Sequence, residues 1–211
     1  MKKVILVLSV VLFFTSCKED KSKKTETKAA KEVVKTTANN AYKVMSSKLT
    51  WKGYKPSGSH NGTINLKEGA LNFDGKNLKG GKFTFDMASI DVLDIPKTDE
   101  NYGKLVGHLT NPDFFDTKQF PTGTFEITKV VKGDIVSTVE GNLTLKGITK
   151  SISFPASVTE KDGVVTFLSN AIKIDRTDFG IKYKSKKFFD NLKDKFVNDL
   201  FDITFEVTAK K

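Results

Sequence analysis

Along Phe201-Asp202-Ile203-Thr204-Phe205-Glu206-Val207-Thr208, apolar and polar residues alternate one for one. A period of two puts every second side chain on one face of an extended strand, so one face is buried and the other wetted. Lys82–Met87 and Thr124–Ile127 alternate in the same way. Asn142-Leu143-Thr144-Leu145 passes through Lys146-Gly147 into Ile148–Phe154, and Asp162-Gly163 precedes Val164–Phe167. Both dipeptides read as tight hairpin turns. Glu68-Gly69 and Gly80-Gly81 read as breaks between earlier strands, which gives about eight or nine strands over residues 43–211.

Two stretches carry a helical pattern instead. Asp99–Leu109 follows a capping residue at Thr98 or Asp99 and stops at Asn111-Pro112. Phe188, Leu192, Phe196 and Leu200 recur every fourth residue, which predicts a second helix over 188–200. The whole is all-β: a single antiparallel domain with one or two short helices in its connections. A closed barrel of about eight strands is preferred over a two-sheet sandwich, because closure removes exposed edges.

Upstream the pattern changes twice. Lys18–Asn40 is rich in Lys, Glu, Thr and Ala with scarcely an apolar residue, too little to bury. Residues 17–42 therefore read as a flexible tether, which would hold the domain roughly 25 Å from whatever Cys17 is attached to. Before it, Met1-Lys2-Lys3 leads into the apolar run Val4–Phe14 and then Thr15-Ser16-Cys17. As a helix that run rises roughly 16 Å, short of a bilayer core of about 30 Å. Positive start, apolar middle and small residues make 1–16 a secretory signal peptide. Cys17, the only cysteine, stands where a lipoprotein cysteine is acylated. The expected product is an exported lipoprotein of the outer membrane, on its periplasmic face or at the cell surface. With no second cysteine, no disulfide framework supports the fold.

The formal net charge is +10. In an exported protein this suits an anionic membrane surface better than nucleic acid. Arg176 is the sole arginine among 35 basic residues, which marks a position where a planar multi-donor fork is retained. Catalytic chemistry finds no foothold. His60 and His108 are the only histidines and sit in no metal-ligand spacing, and there is no phosphate loop or nucleophile elbow. No metal and no cofactor are expected, and the protein is read as a non-enzyme. His108 would be the general base if it acted on a lipid. Seventeen phenylalanines suit a dry interior, since Phe needs no hydrogen-bond partner.

Five segments, in order, carry a family resemblance: Gly58-Ser59-His60-Asn61-Gly62-Thr63, Gly107–Asp116 with its His108-Leu109-Thr110-Asn111-Pro112 core, Phe120–Phe125, Gly141–Lys150, and Asp175-Arg176-Thr177-Asp178-Phe179-Gly180-Ile181. Together they resemble the YceI-like family of polyisoprenoid-binding envelope proteins, over roughly residues 43–210. The resemblance implies a lipocalin-like barrel enclosing a long apolar tunnel for a polyisoprenoid, an isoprenoid quinone or another long-chain lipid. The protein would be its carrier or reservoir, with a part in stress response as a further expectation. The lipoprotein signal and the 188–194 connection are similar to variants common in Bacteroidetes.

Strand parity on this reading assigns the tunnel wall to Trp51, Phe83, Phe85, Phe125, Leu143, Leu145 and Phe205. Phe114, Phe115, Phe179 and Phe188 are candidates for the mouth, and His108 and Arg176 for contacts to a headgroup, with a purely structural role for either left open. The alternative is a surface interaction protein whose barrel is filled. The oligomeric state is not legible from the sequence.

Overall fold

A computed structural model describes residues 24–33 and 40–211. The expected signal peptide 1–16 and Cys17 lie outside the described residues. The elements in chain order are β1 (Lys28–Ala29), β2 (Asn40–Lys55), β3 (Gly58–Asp74), β4 (Asn77–Val92), α1 (Glu100–Thr110), β5 (Thr122–Val131), β6 (Ser137–Leu145), β7 (Ile148–Lys161), β8 (Val164–Ser169), β9 (Ile172–Asp175) and β10 (Leu200–Lys210). Strands β7-β6-β5-β4-β3-β2-β10-β8 pair in that order, and β8 pairs back with β7, closing an antiparallel eight-stranded barrel. Among the described residues, β9 pairs only with β10, and β1 only with β7.

The alternation in the sequence becomes the inside and outside of this barrel. Along β10, Phe205, Val207 and Ala209 are buried, while Glu206 and Lys210 are exposed. Phe83, Phe125 and Leu143 are cross-strand partners on β4, β5 and β6, forming a belt around the interior. The hairpin turns are the expected ones. Lys146 and Gly147 have φ of 48° and 73°, and Asp162 and Gly163 have 53° and 77°. Consecutive positive φ values are the type I′ geometry that matches strand twist.

Two expectations are corrected. Glu68-Gly69 lies inside β3 at a register irregularity, and Gly80-Gly81 inside β4; the turn between them is at Gly75-Lys76. Both strands therefore run through, and the glycines relieve crowding: a Cβ on Gly69 would stand 2.8 Å from the Phe83 ring.

The second correction concerns residues 188–200. Only Lys193–Lys195 forms a short 3₁₀ turn. Asn191 and Lys193 have φ of 58° and 47°, left-handed values that no continuous helix accommodates. The apolar stripe does not form one buried face: Phe188 is exposed, while Leu192, Phe196 and Leu200 are half-buried. The first expected helix does form, as α1, with the Asp99 carboxylate accepting a bond from the Asn101 amide.

Within the segment read as a tether, residues 24–33 lie against the barrel as a strap. The amide of Thr25 donates to the Lys173 carbonyl on β9, and Lys28 and Ala29 pair with Ser151 and Lys150 on β7. The strap thus bridges β7 and β9, which do not pair with each other. Asn142 of β6 holds Lys31 from both sides, accepting from its amide and donating to its carbonyl. Polarity kept this segment from being read as ordered, yet hydrogen bonds and ion pairs satisfy it without apolar burial.

Candidate functional site

The barrel interior is neither empty nor one open tunnel. A cavity of about 390 Å³ opens at the end covered by α1 and the 182–197 connection. Below it lies a cavity of about 70 Å³, which shares Trp51, Leu109, Phe114 and Val197 with the mouth. A third, of about 40 Å³, shares Leu49 and Ile203 with the second. Of these three, only the mouth has the size of a ligand pocket. Deeper still the space is taken by rings: the Phe83 centroid lies 4.9 Å from Phe205 and 6.1 Å from Phe167.

Trp51 forms one wall of the mouth because its β3 partner is Gly62. A Cβ there would stand 2.6 Å from Trp51 Cζ2, so only glycine leaves room for the indole. His108, in the last turn of α1, stacks at 4.2 Å between ring centroids on Tyr183 and edge-on to Phe114 at 5.4 Å. Burial is the main cause that holds its pKa below the usual histidine value; the Lys184 and Arg176 charges act the same way, and Asp113 opposes them. The imidazole is therefore neutral at pH 7. Its Nδ1 faces Asp113 at 3.9 Å.

Two buried polar atoms on residues that line this cavity, Trp51 Nε1 and His108 Nε2, have no partner among the described residues. An unpaired buried polar group is costly, so such atoms mark where a ligand's polar group could pair. Trp51 Nε1 can only donate, whereas neutral His108 can accept at Nε2 when Nδ1 carries the proton. The rest of the mouth wall is mainly apolar, with Lys55, Lys184 and Lys195 at its edge.

The remaining sequence candidates separate by place. Phe85, Phe125, Leu143 and Phe205 border the third cavity; Leu145, Phe114, Phe115 and Arg176 border the second. Phe83 is fully buried in the aromatic cluster. Phe179 is fully buried in a 3₁₀ turn (Arg176–Phe179) and lines none of the three cavities. Phe188 stands outside the mouth, 46% exposed.

Arg176 borders the second cavity, but its donors are committed to protein. Nε donates to the Asn198 carbonyl, Nη1 to that of Ile181, and Nη2 to that of Val197 and to Asp199 Oδ1. The fork ties the 3₁₀ turn to the segment entering β10, the structural role that the sequence left open for it. Sequence reasoning missed Tyr183, Val197 and Gly62. Gly62 lay within a quoted motif, but nothing in one sequence shows that its missing side chain seats Trp51.

Comparisons with solved structures agree with the barrel. BcnA of Burkholderia cenocepacia superposes with a TM-score of 0.63 at 23% identity, over 78% of this chain and 96% of that one. A polyisoprenoid-binding domain from Saccharophagus degradans gives 0.62 at 12% identity, over 81% and 97%. The YCEI protein of Campylobacter jejuni gives 0.52 at 24% identity, over 70% and 84%. At these identities the likeness establishes the fold alone. Among curated proteins, a UPF0312 protein of Yersinia pestis (strain Pestoides F) is 33% identical over 98 residues, 46% of this chain. The chain spans about half the length of the curated relatives it matches. A sequence model of the YceI-like domain matches residues 32–209, and the chain accordingly belongs to the YceI-like family.

Proposed function

We propose that this protein is an exported, lipid-anchored envelope protein that binds one long apolar lipid through the mouth of its barrel. The class is a polyisoprenoid, an isoprenoid quinone or a similar lipid, and the role is carrier or reservoir. The observation that carries this reading is an apolar cavity at the barrel mouth that shares Trp51, Leu109, Phe114 and Val197 with the cavity below it, with the unpartnered Trp51 Nε1 and His108 Nε2 just behind its lining. The polar end of a lipid would pair with them while its chain runs toward Leu49 and Ile203. Membership of the YceI-like family and the polyisoprenoid-binding name of the Saccharophagus neighbour support the same class.

A prenyl chain partitions between barrel and bilayer rather than between barrel and water. Apolar transfer worth about 0.8 kcal/mol per CH₂ from water therefore largely cancels, and selectivity falls to packing and the headgroup. Such a binder works best held beside a membrane, which acylation of Cys17 would achieve.

The small inner cavities favour one rival, a filled barrel that acts only as a surface for partners. Mass spectrometry of organic extracts from protein purified out of its native membranes decides between them. Stoichiometric long-chain lipid is the expected result, and extracts free of lipid would leave the filled-barrel reading standing.

A further inference from the structure

The connection 182–197 is a turn with a buried base and an exposed apolar tip. Ser185 is fully buried, and its carbonyl accepts the amides of Phe188 and Phe189. The Val197 amide donates to the Lys184 carbonyl and the Asn198 amide to that of Tyr54, which fastens the far side of the loop to the barrel. Phe188 and Phe189 are 46% and 49% exposed at the tip. Adjacent exposed phenylalanines on a well-held turn cost solvation unless something covers them.

The charges around them indicate what covers them. Lys182, Lys184, Lys186, Lys193 and Lys195 lie in the same loop, and among the described residues none forms an ion pair with a carboxylate. Lys182 Nζ sits 4.9 Å from the Phe188 ring centroid and Lys186 Nζ 3.6 Å from that of Phe196. The loop also carries Asp190 and Asp194, against six lysines, and an apolar tip on a loop of net basic charge matches an anionic bilayer, with rings at the acyl boundary and ammonium groups at the headgroups. Lys184, Lys195, Phe196 and Val197 also line the mouth cavity, so a bilayer under this loop would face the opening.

A second observation, independent of the loop's composition, points to the same face. Asp175 Oδ2 accepts from Lys24 at 2.9 Å on the strap and from Lys187 on the loop, the residue preceding Phe188. The strap therefore brings the incoming chain to the loop's flank. From Lys24 back to Cys17 the chain spans at most roughly 25 Å when fully extended.

We infer that the 182–197 loop docks on an anionic membrane surface mouth-down, and that the 24–33 strap sets this orientation by delivering the anchored chain beside it. The inference deepens the lipid-binding reading, because it supplies the path by which a chain passes between bilayer and barrel without crossing water.

The test places tryptophan at each pole of the full-length protein in vesicles whose phosphatidylcholine carries brominated acyl chains, a short-range quencher, mixed with phosphatidylglycerol. Phe189→Trp reports on the loop. Ile135→Trp, at an 88% exposed position in the β5–β6 connection, reports on the opposite pole. The wild type, with Trp51 alone, supplies the background. Quenching and a blue shift at position 189, with position 135 unchanged, are expected. High salt, vesicles without phosphatidylglycerol, or Gln at Lys182, Lys184, Lys193 and Lys195 should reduce the quenching several-fold. Quenching at position 135, at neither position, or undiminished at position 189 without the anionic lipid overturns the inference. So does self-association that shields the indole of the Phe189→Trp variant in place of the bilayer. Quenching at position 189 in a protein whose extracts hold no lipid would remove the carrier reading and leave the docking in place.

Discussion

Trp51 and Gly62 face each other across β2 and β3 so closely that a Cβ on the glycine would stand 2.6 Å from the indole. The same Cβ would also meet the Asp91 carbonyl oxygen at 1.8 Å. Gly62→Ala therefore overpacks the mouth wall, at a cost of about 1–3 kcal/mol. Trp51 is the only tryptophan, so its emission reports on that wall directly. Urea unfolding of the variant should show a lowered midpoint, with the native emission maximum displaced. A variant matching the wild type in both would mean that the indole is not seated as described.

Arg176 is 2% exposed and holds three carbonyls and Asp199 with one guanidinium. Removing one partner from a buried charged network costs on the order of 3–5 kcal/mol, since the others lose their pairing. Arg176→Ala should lower stability by about that amount. Arg176→Lys should recover little, because a single ammonium cannot reproduce the fork. Chemical denaturation of both variants measures this, and full rescue by lysine would show that charge, not fork geometry, is what the site uses.

The barrel was legible because its strands alternate with a period of two over long runs, a pattern that survives without any knowledge of partners. The Lys146-Gly147 and Asp162-Gly163 turns were legible for a similar reason, since positive φ at both positions restricts which residues can stand there. The apolar stripe at Phe188, Leu192, Phe196 and Leu200 misled because i, i+4 spacing says nothing about whether a face is covered, and left-handed residues intervene at Asn191 and Lys193. The strap was invisible for the opposite reason. Lys24, Thr27 and Lys31 are held by Asp175, Asp178, Asn142 and Glu140, polar partners scattered far along the chain, and no local pattern encodes such pairings. At the site, the inward direction of Phe85, Phe125 and Phe205 followed from parity. The role of Arg176 depended on which acceptors the fold brought to it.

Leu49 and Ile203 stand where the second cavity meets the third. Leu49→Phe adds a ring at that junction without touching Trp51 or His108. If a lipid chain runs inward from the mouth, this variant should still bind short prenyl alcohols but lose long ones. Competition against a fluorescent prenyl probe over a series of chain lengths reads the effect, with a selectivity change of about tenfold for each 1.4 kcal/mol of lost packing. Equal weakening for every length would place the chain elsewhere.

The attachment of the strap depends on the ionised form of Asp175. Burial opposes that charge, but bonds from Lys187, Lys24 and Thr177 outweigh it and hold the carboxyl well below the usual carboxylate range. Because the folded pKa lies below the unfolded value of about 3.9, the stabilisation is present above pH 4 and is lost as the pH falls below it through the folded pKa. Hydrogen exchange at the Thr25 amide, which donates to Lys173, should accordingly stay slow at pH 5 after correction for intrinsic rates. It should speed up several-fold in Lys24→Gln at neutral pH, a change that removes the strap's hold on Asp175 and leaves the 3₁₀ cap to Thr177 intact. The Lys31 amide, fastened separately by Asn142, should respond less to Lys24→Gln and more to Asn142→Ala. Equal exchange at Thr25 in the wild type and Lys24→Gln would show that the strap's other attachments, to β7, Asn142 and Asp178, hold it in place without Lys24.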